Sequence, residues 1–236
     1  MNNQNLAGVT SKKLPLILFG VGLLVFVLVF IFMVRKNKNV TPSDETTIEV
    51  PFSDRPVVSL TPRSDGHWLD LSIEKFKVQK AASLDYELLY TLPDGRVQGV
   101  PGTVQLTGIS DLKRELLLGS ESSGKFRYDE GVKNGNLTIR FRDGKGKLLA
   151  KFSTKFRMQT DETNLSSIDE NFVYKLEKPV KGEFFVTMET FGLPTDSNVS
   201  SVSSGPYGVF SSLEDSNLPV GKADGWQIVR LNFFYK

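Results

Sequence analysis

Two Ser-x-x-Lys quartets, Ser72 to Lys75 and Ser122 to Lys125, are the nucleophile–base pairs that this sequence offers without histidine or cysteine. A desolvated lysine can take a serine proton, but helical spacing is needed to bring amine and hydroxyl together. One quartet falls in a strand-like run and the other in a Ser/Gly-rich loop, so both read as coincidental. His67 is the one histidine among 236 residues, so any Ser-His-Asp triad must run through it. Its setting, Asp65-Gly66-His67-Trp68, is that of a turn or strand start. The absence of cysteine removes disulfides, cysteine nucleophiles and thiolate zinc sites. Acidic doublets at Asp44-Glu45, Asp129-Glu130, Asp161-Glu162 and Asp169-Glu170 suggest a glycosidase pair or a calcium site only until geometry is considered. Neighbouring residues on a strand point to opposite faces, so no doublet alone makes either. No phosphate-binding loop, dinucleotide fingerprint, EF-hand, His-Glu-x-x-His or Gly-x-Ser-x-Gly motif occurs, and no cofactor or metal is expected.

Binding is the chemistry that remains. The stretch Leu137 to Met158 carries seven basic residues and one acid. Arg140, Arg142, Lys151, Lys155 and Arg157 alternate there with Leu137, Ile139, Phe141, Ala150, Phe156 and Met158. As a hairpin this gives one apolar and one basic face, the latter a candidate site for an anionic envelope polymer or an acidic protein partner. No aromatic residue is interleaved on the basic face, so nucleic acid is not expected. A second candidate is the long Ser/Gly/Pro-rich loop Gly192 to Pro206, which leads through a tight turn to Tyr207 and Phe210 as possible ring contacts.

Two unlike regions must position these residues. The first 40 residues contain no acid and five bases, Lys12, Lys13, Arg35, Lys36 and Lys38, which leaves 24 basic against 27 acidic residues in the remainder. Between the basic clusters, Leu14 to Val34 is 21 residues without a charge or a hydrogen-bonding side chain. As a helix this run is about 31 Å long, matching a hydrocarbon core of ~30 Å. A lone span has to be helical to pair its own amides, and the flanking bases suit headgroups. The run ends in Arg35-Lys36-Asn37-Lys38, without the small residues of a signal-peptidase site. The flanking charges balance. The position of a first span behind a short tail therefore orients the chain, with residues 1–13 as a cytoplasmic tail, 14–34 as the transmembrane helix and 35–56 as a Pro-rich flexible tether.

From Val57 onward the period is two. Pro93-Asp94-Gly95 and Asp143-Gly144-Lys145-Gly146 are turn signals between strands. Asn134-Gly135 is expected to close a hairpin between Phe126–Val132 and Leu137–Arg142. Gly225 to Lys236 reads as one final strand, with Val229, Leu231, Phe233 and Tyr235 on its inner face. Ser110 to Leu118 is equally well a helical turn or a strand. The expected fold class is mainly β, an antiparallel β-sandwich, immunoglobulin-like or larger, preceded by one transmembrane α-helix. Residues 57–160 form the sandwich, and 161–236 a second smaller β unit or its continuation. The expected function is a membrane-anchored, non-catalytic, extracytoplasmic module for binding, adhesion or envelope assembly. An envelope hydrolase using carboxylates or a Ser-Lys pair, and a β-rich subunit of a larger membrane complex, stay open as alternatives, as does the oligomeric state.

Overall fold

The computed structural model describes residues 47–75, 77–194, 197, 199, 201–214, 217–230 and 232–236. The expected span Leu14 to Val34 and its flanking bases lie outside these. Among the described residues, no helix is long and apolar enough to cross a membrane. Thr46–Lys236 make one compact unit.

This unit is mainly β, built of antiparallel sheets. A three-stranded sheet pairs β1 (Val57–Pro62), β2 (Trp68–Glu74) and β5 (Asp111–Leu117) in that order. The largest sheet joins β3 (Ser83–Thr91), β4 (Val97–Gln105), β8 (Asn134–Arg142), β9 (Leu148–Thr160), β12 (Phe184–Glu189), β13 (Tyr207–Ser211), β15 (Gln227–Arg230) and β16 (Phe233–Tyr235). Its order is β15-β16-β13-β12-β9-β8-β3-β4. A third sheet holds β10 (Asn164–Ser166), β11 (Val173–Leu176) and β14 (Gly221–Lys222), and a separate hairpin pairs β6 (Gly119–Ser122) with β7 (Lys125–Tyr128).

Alternation along the strands decides which residues meet. On β2, Leu69, Leu71 and Ile73 are fully buried, while Trp68, Asp70, Ser72 and Glu74 face outward. They pack in one core with Leu84, Leu88 and Tyr90 of β3, Leu137, Ile139 and Phe141 of β8, and Val186 and Met188 of β12. Each such side chain contributes about 1.5–3 kcal/mol on burial. Phe185, Tyr207, Val209 and Phe234 point the other way and form a second core with Leu165, Phe172, Tyr174 and Leu176. The β12-β13-β16 end of the large sheet is thus covered on both faces. That double covering explains why β13 is buried at all five residues.

Turn chemistry fixes the registers. Gly95, at φ 86°, sits between β3 and β4, and Asp94 Oδ1 accepts from the Arg96 amide. Asp143 Oδ1 accepts from the amides of Lys145 and Lys147, closing the β8–β9 turn. Those two bonds hold the Asp143 carboxyl below its ordinary pKa. Opposite this turn the ladder shifts register between Phe141 and Arg142, and Leu148, Leu149 and Ala150 are all buried.

Three expectations need correction, and one open alternative is decided. Asn134-Gly135 is not a turn: both residues lie in β8, paired on one side with Thr91 and Tyr90 and on the other with Arg157 and Phe156. The hairpin turn of this region is Ser123-Gly124, with φ of 52° and 74°, between the facing residues Ser122 and Lys125. The C-terminal segment is two short strands, not one, and among its described residues Phe234 is the one fully buried. The end of the expected tether is packed: Val50 is buried in the main core, and the Ile48 amide donates to the Leu149 carbonyl. Ser110 to Leu118 resolves as strand β5, because Leu112 and Leu116 enter the core at even spacing.

Candidate ligand-binding surface

Strand β7 places Phe126 and Tyr128 on one face of the β6–β7 hairpin, and they stay 46% and 40% exposed. Their ring planes are nearly parallel, 3° apart, with centroids 6.1 Å from each other. His67 stacks on Tyr128 at 4.3 Å, and Trp68 meets Phe126 edge-on at 5.8 Å. The Arg63 guanidinium lies 5.4 Å from the Trp68 ring centre. These contacts make a row of four rings along the rim of the fold, with geometry that favours aromatic pairing.

The base of the hairpin is fixed by polar anchors. Tyr90, buried in β3, donates its hydroxyl to Asp129 Oδ2 at 2.9 Å, and Asp129 itself is buried. Burial, and then the Asp129 hydrogen bond, pushes the Tyr90 hydroxyl above its ordinary pKa. The Asp129 amide donates to the Leu118 carbonyl, and the Leu118 amide to the His67 carbonyl. Gly119 allows the hairpin to close: a Cβ there would stand 2.2 Å from the Arg127 carbonyl oxygen.

Arg63 ties the ring row to the outer face of the β1-β2-β5 sheet. It hydrogen-bonds both oxygens of Asp70 and reaches Glu115 at 2.5 Å. The Asp70 hydrogen bond leads the effects that raise the Arg63 pKa above its ordinary value. Registers Thr61–Asp70–Glu115 and Ser59–Ser72–Lys113 set short hydroxyl side chains between charged ones. Two hollows of about 520 and 670 Å³ lie on this face and share Ser72, Glu74 and Lys113. A further hollow of about 360 Å³ flanks Tyr128 on its Arg96 and Arg127 side.

The sequence-derived candidates are placed differently. Arg140 donates to Glu87 at 3.0 Å and Arg142 to Asp85 at 2.7 Å, both carboxylates coming from β3. Burial raises the Asp85 pKa, but the bonds from Arg142 and Thr103 outweigh it and the net shift is downward. Arg157 donates to Ser166 at 2.6 Å, while Lys151 and Lys155 are exposed. Two of the five expected bases are therefore paired with carboxylates of the neighbour strand, and Lys151 and Lys155 stay on the surface. Tyr207 and Phe210 are core residues of β13, 5% and 3% exposed, and the Tyr207 hydroxyl donates to Asp169. They brace the fold where a loop contact was expected. Lys12, Lys13, Arg35, Lys36 and Lys38 lie outside the described residues.

The Ser-x-x-Lys quartets do not assemble. Lys75 Nζ donates to the Leu193 carbonyl, and Ser72 Oγ is buried without a hydrogen-bond partner. Burial and then Lys77 lower the Lys75 pKa. Ser122 and Lys125 face each other across a hairpin turn. Among the described residues no group of three or more histidines and carboxylates is placed to hold a metal ion. The ring row was missed because its halves are far apart in sequence. The one local signal was the aromatic alternation Phe126-x-Tyr128 beside a two-residue turn.

No protein-family model matches the chain, and no curated protein is significantly similar to it.

Proposed function

We propose that the chain is a single-pass membrane protein whose Leu14 to Val34 segment anchors an extracytoplasmic, non-catalytic β-sandwich that works by binding. The observation that carries this reading is the pair of exposed, parallel rings of Phe126 and Tyr128 on a hairpin that is itself pinned to the core. Exposed rings on a fixed support favour association, since their burial by a partner releases water at little cost in side-chain freedom. The sandwich assignment is supported by one core filled from both the β1-β2-β5 sheet and the large sheet. The hydrophobic run of Leu14 to Val34 and its basic flanks support the anchor, and the short tail before this first span supports its orientation.

The native chain has no cysteine, so Lys145→Cys at the exposed β8–β9 turn gives a unique label. A membrane-impermeant maleimide should label that variant in intact cells. Labelling only after lysis would refute the extracytoplasmic placement. Retention of the full chain on envelope fractions should fall in Phe126→Ala/Tyr128→Ala, and unchanged retention would refute the binding surface.

A further inference from the structure

We propose that the ring row of His67, Trp68, Phe126 and Tyr128, continued by the outer face of the β1-β2-β5 sheet, binds an uncharged glycan chain. This ligand class rests on reading the domain as a binding module. Three observations select it. The first is the rings themselves. The face of an aromatic ring is electronegative and the C–H-rich face of a sugar ring is its complement, and Phe126 and Tyr128 keep much of their ring surface exposed.

The second is charge. Lys125 and Arg127 on the hairpin are accompanied by Glu121, Asp129 and Glu130. On the sheet face, Arg63, Lys75, Lys77, Lys113 and Arg114 stand against Asp70, Glu74, Asp111 and Glu115, all of them lining its two hollows, and the one extra base is offset by the extra acid of the hairpin. Such a balanced surface gives no net attraction for phosphate-bearing lipid or nucleic acid, whose binding depends on a cation excess.

The third is the polar floor beyond the rings. Thr61, Asp70 and Lys113 line the hollows, and Arg63 is held by Asp70 and Glu115. Fixed donors and acceptors of this kind serve sugar hydroxyls without rearrangement. The two joined hollows, about 520 and 670 Å³, fall in the size range of small-molecule and oligomer sites. A globular protein partner would need to bury about 800 Å² per side around an apolar centre, and two rings at a rim do not supply such a centre.

The test is calorimetric titration of the detergent-solubilised full chain with cellohexaose, chitohexaose and maltohexaose, alongside phosphatidylglycerol vesicles. Saturable binding of at least one hexaose is expected, weakened about tenfold by Phe126→Ala or Tyr128→Ala and unchanged by Lys151→Ala on the other sheet. Both rings are exposed, so an unshifted melting temperature will show that these variants fold. Binding of a hexaose that survives both ring substitutions overturns the site. Vesicle binding that falls in Phe126→Ala or Tyr128→Ala, which leave the Leu14 to Val34 segment intact, without hexaose binding overturns the ligand class in favour of a lipid surface. If no hexaose binds at about 1 mM, a thousandfold above a micromolar dissociation constant, the glycan assignment fails. Envelope retention that is still lost in Phe126→Ala/Tyr128→Ala would then leave the binding function standing. Loss of both results would end both readings.

Discussion

Gly135 gives the most direct test of how the sheet is built. It lies in β8 between Tyr90 of β3 and Phe156 of β9. A Cβ added there would stand 2.3 Å from Phe156 Cε1 and 2.4 Å from the Leu89 carbonyl oxygen, each about 1 Å inside ordinary contact. Neither neighbour can give way cheaply. Phe156 is fully buried in the main core, and Leu89 O belongs to the backbone of the β3–β8 ladder. Overpacking of this kind costs about 3 kcal/mol, the upper part of its usual range. For a domain of this size that lowers the melting temperature by about 6–12 °C. Gly135→Ala should show this in urea and thermal unfolding of the solubilised chain. The double variant Gly135→Ala/Phe156→Leu should be less destabilised than the sum of its parts by about 1 kcal/mol or more, because the smaller side chain vacates the contested space. A loss under about 0.5 kcal/mol, or strict additivity, would refute the close-approach reasoning.

Three other outcomes are expected. Tyr90→Phe removes the donor to buried Asp129, which should cost about 1–3 kcal/mol and speed amide exchange across residues 125–130; unchanged exchange would count against the anchor. Asp169 and Glu189 should give opposite pH profiles. Burial would raise the Asp169 pKa, but bonds from Ser167, Tyr207 and Asn171 leave it below the ordinary value, so its stabilisation is present at neutral pH and is lost as pH falls through the folded pKa. Burial, then the Asp169 charge, raises the Glu189 pKa, so its contribution favours the folded state in acid and is lost as pH rises through the folded pKa. Glu189→Gln should therefore melt higher than the native chain at neutral pH but not in acid, and a gain at both would refute the assignment. Pro101 lies within β4, the open edge of the large sheet, where it withholds one donor from any added strand. Pro101→Thr should increase light scattering at raised concentration with little change in melting temperature.

The features legible from sequence were local ones. Alternation along Trp68 to Glu74 and Ser83 to Thr91, and the turns at Gly95 and Gly146, were readable because each depends on neighbouring residues alone. Asn134-Gly135 carried the same kind of local signal and failed, since the ring of Phe156 needs the space above Gly135 and Ser123-Gly124 supplies a turn of the same chemistry. Charge arithmetic could not show which bases are paired, for a related reason. Arg140 and Arg142 meet carboxylates 53 and 57 residues away, on a strand that no periodicity pairs with theirs. The ring row combines His67 and Trp68 with Phe126 and Tyr128 through contacts that exist only once β5 has laid the hairpin beside β2.

Placing the rings on β6–β7 separates what holds the site from what uses it. A lone two-stranded hairpin is marginal in water, and every residue of β7 is exposed. Its order must therefore come from its base, where Leu118 is fully buried, Asp129 is held by Tyr90, and the Asp129 and Leu118 amides are bonded to backbone carbonyls. Ring stacking on His67 and Trp68 then sets the angle of the tip. Changes at the base should loosen the whole surface and lower stability together, whereas changes at Phe126 and Tyr128 alter the surface with the fold intact. Binding loss that tracked melting temperature across Phe126→Ala, Tyr128→Ala and Tyr90→Phe would show that the rings act only as packing for the hairpin. Loss of binding without loss of stability in the two ring variants, set against loss of both in Tyr90→Phe, is the pattern this division of labour requires.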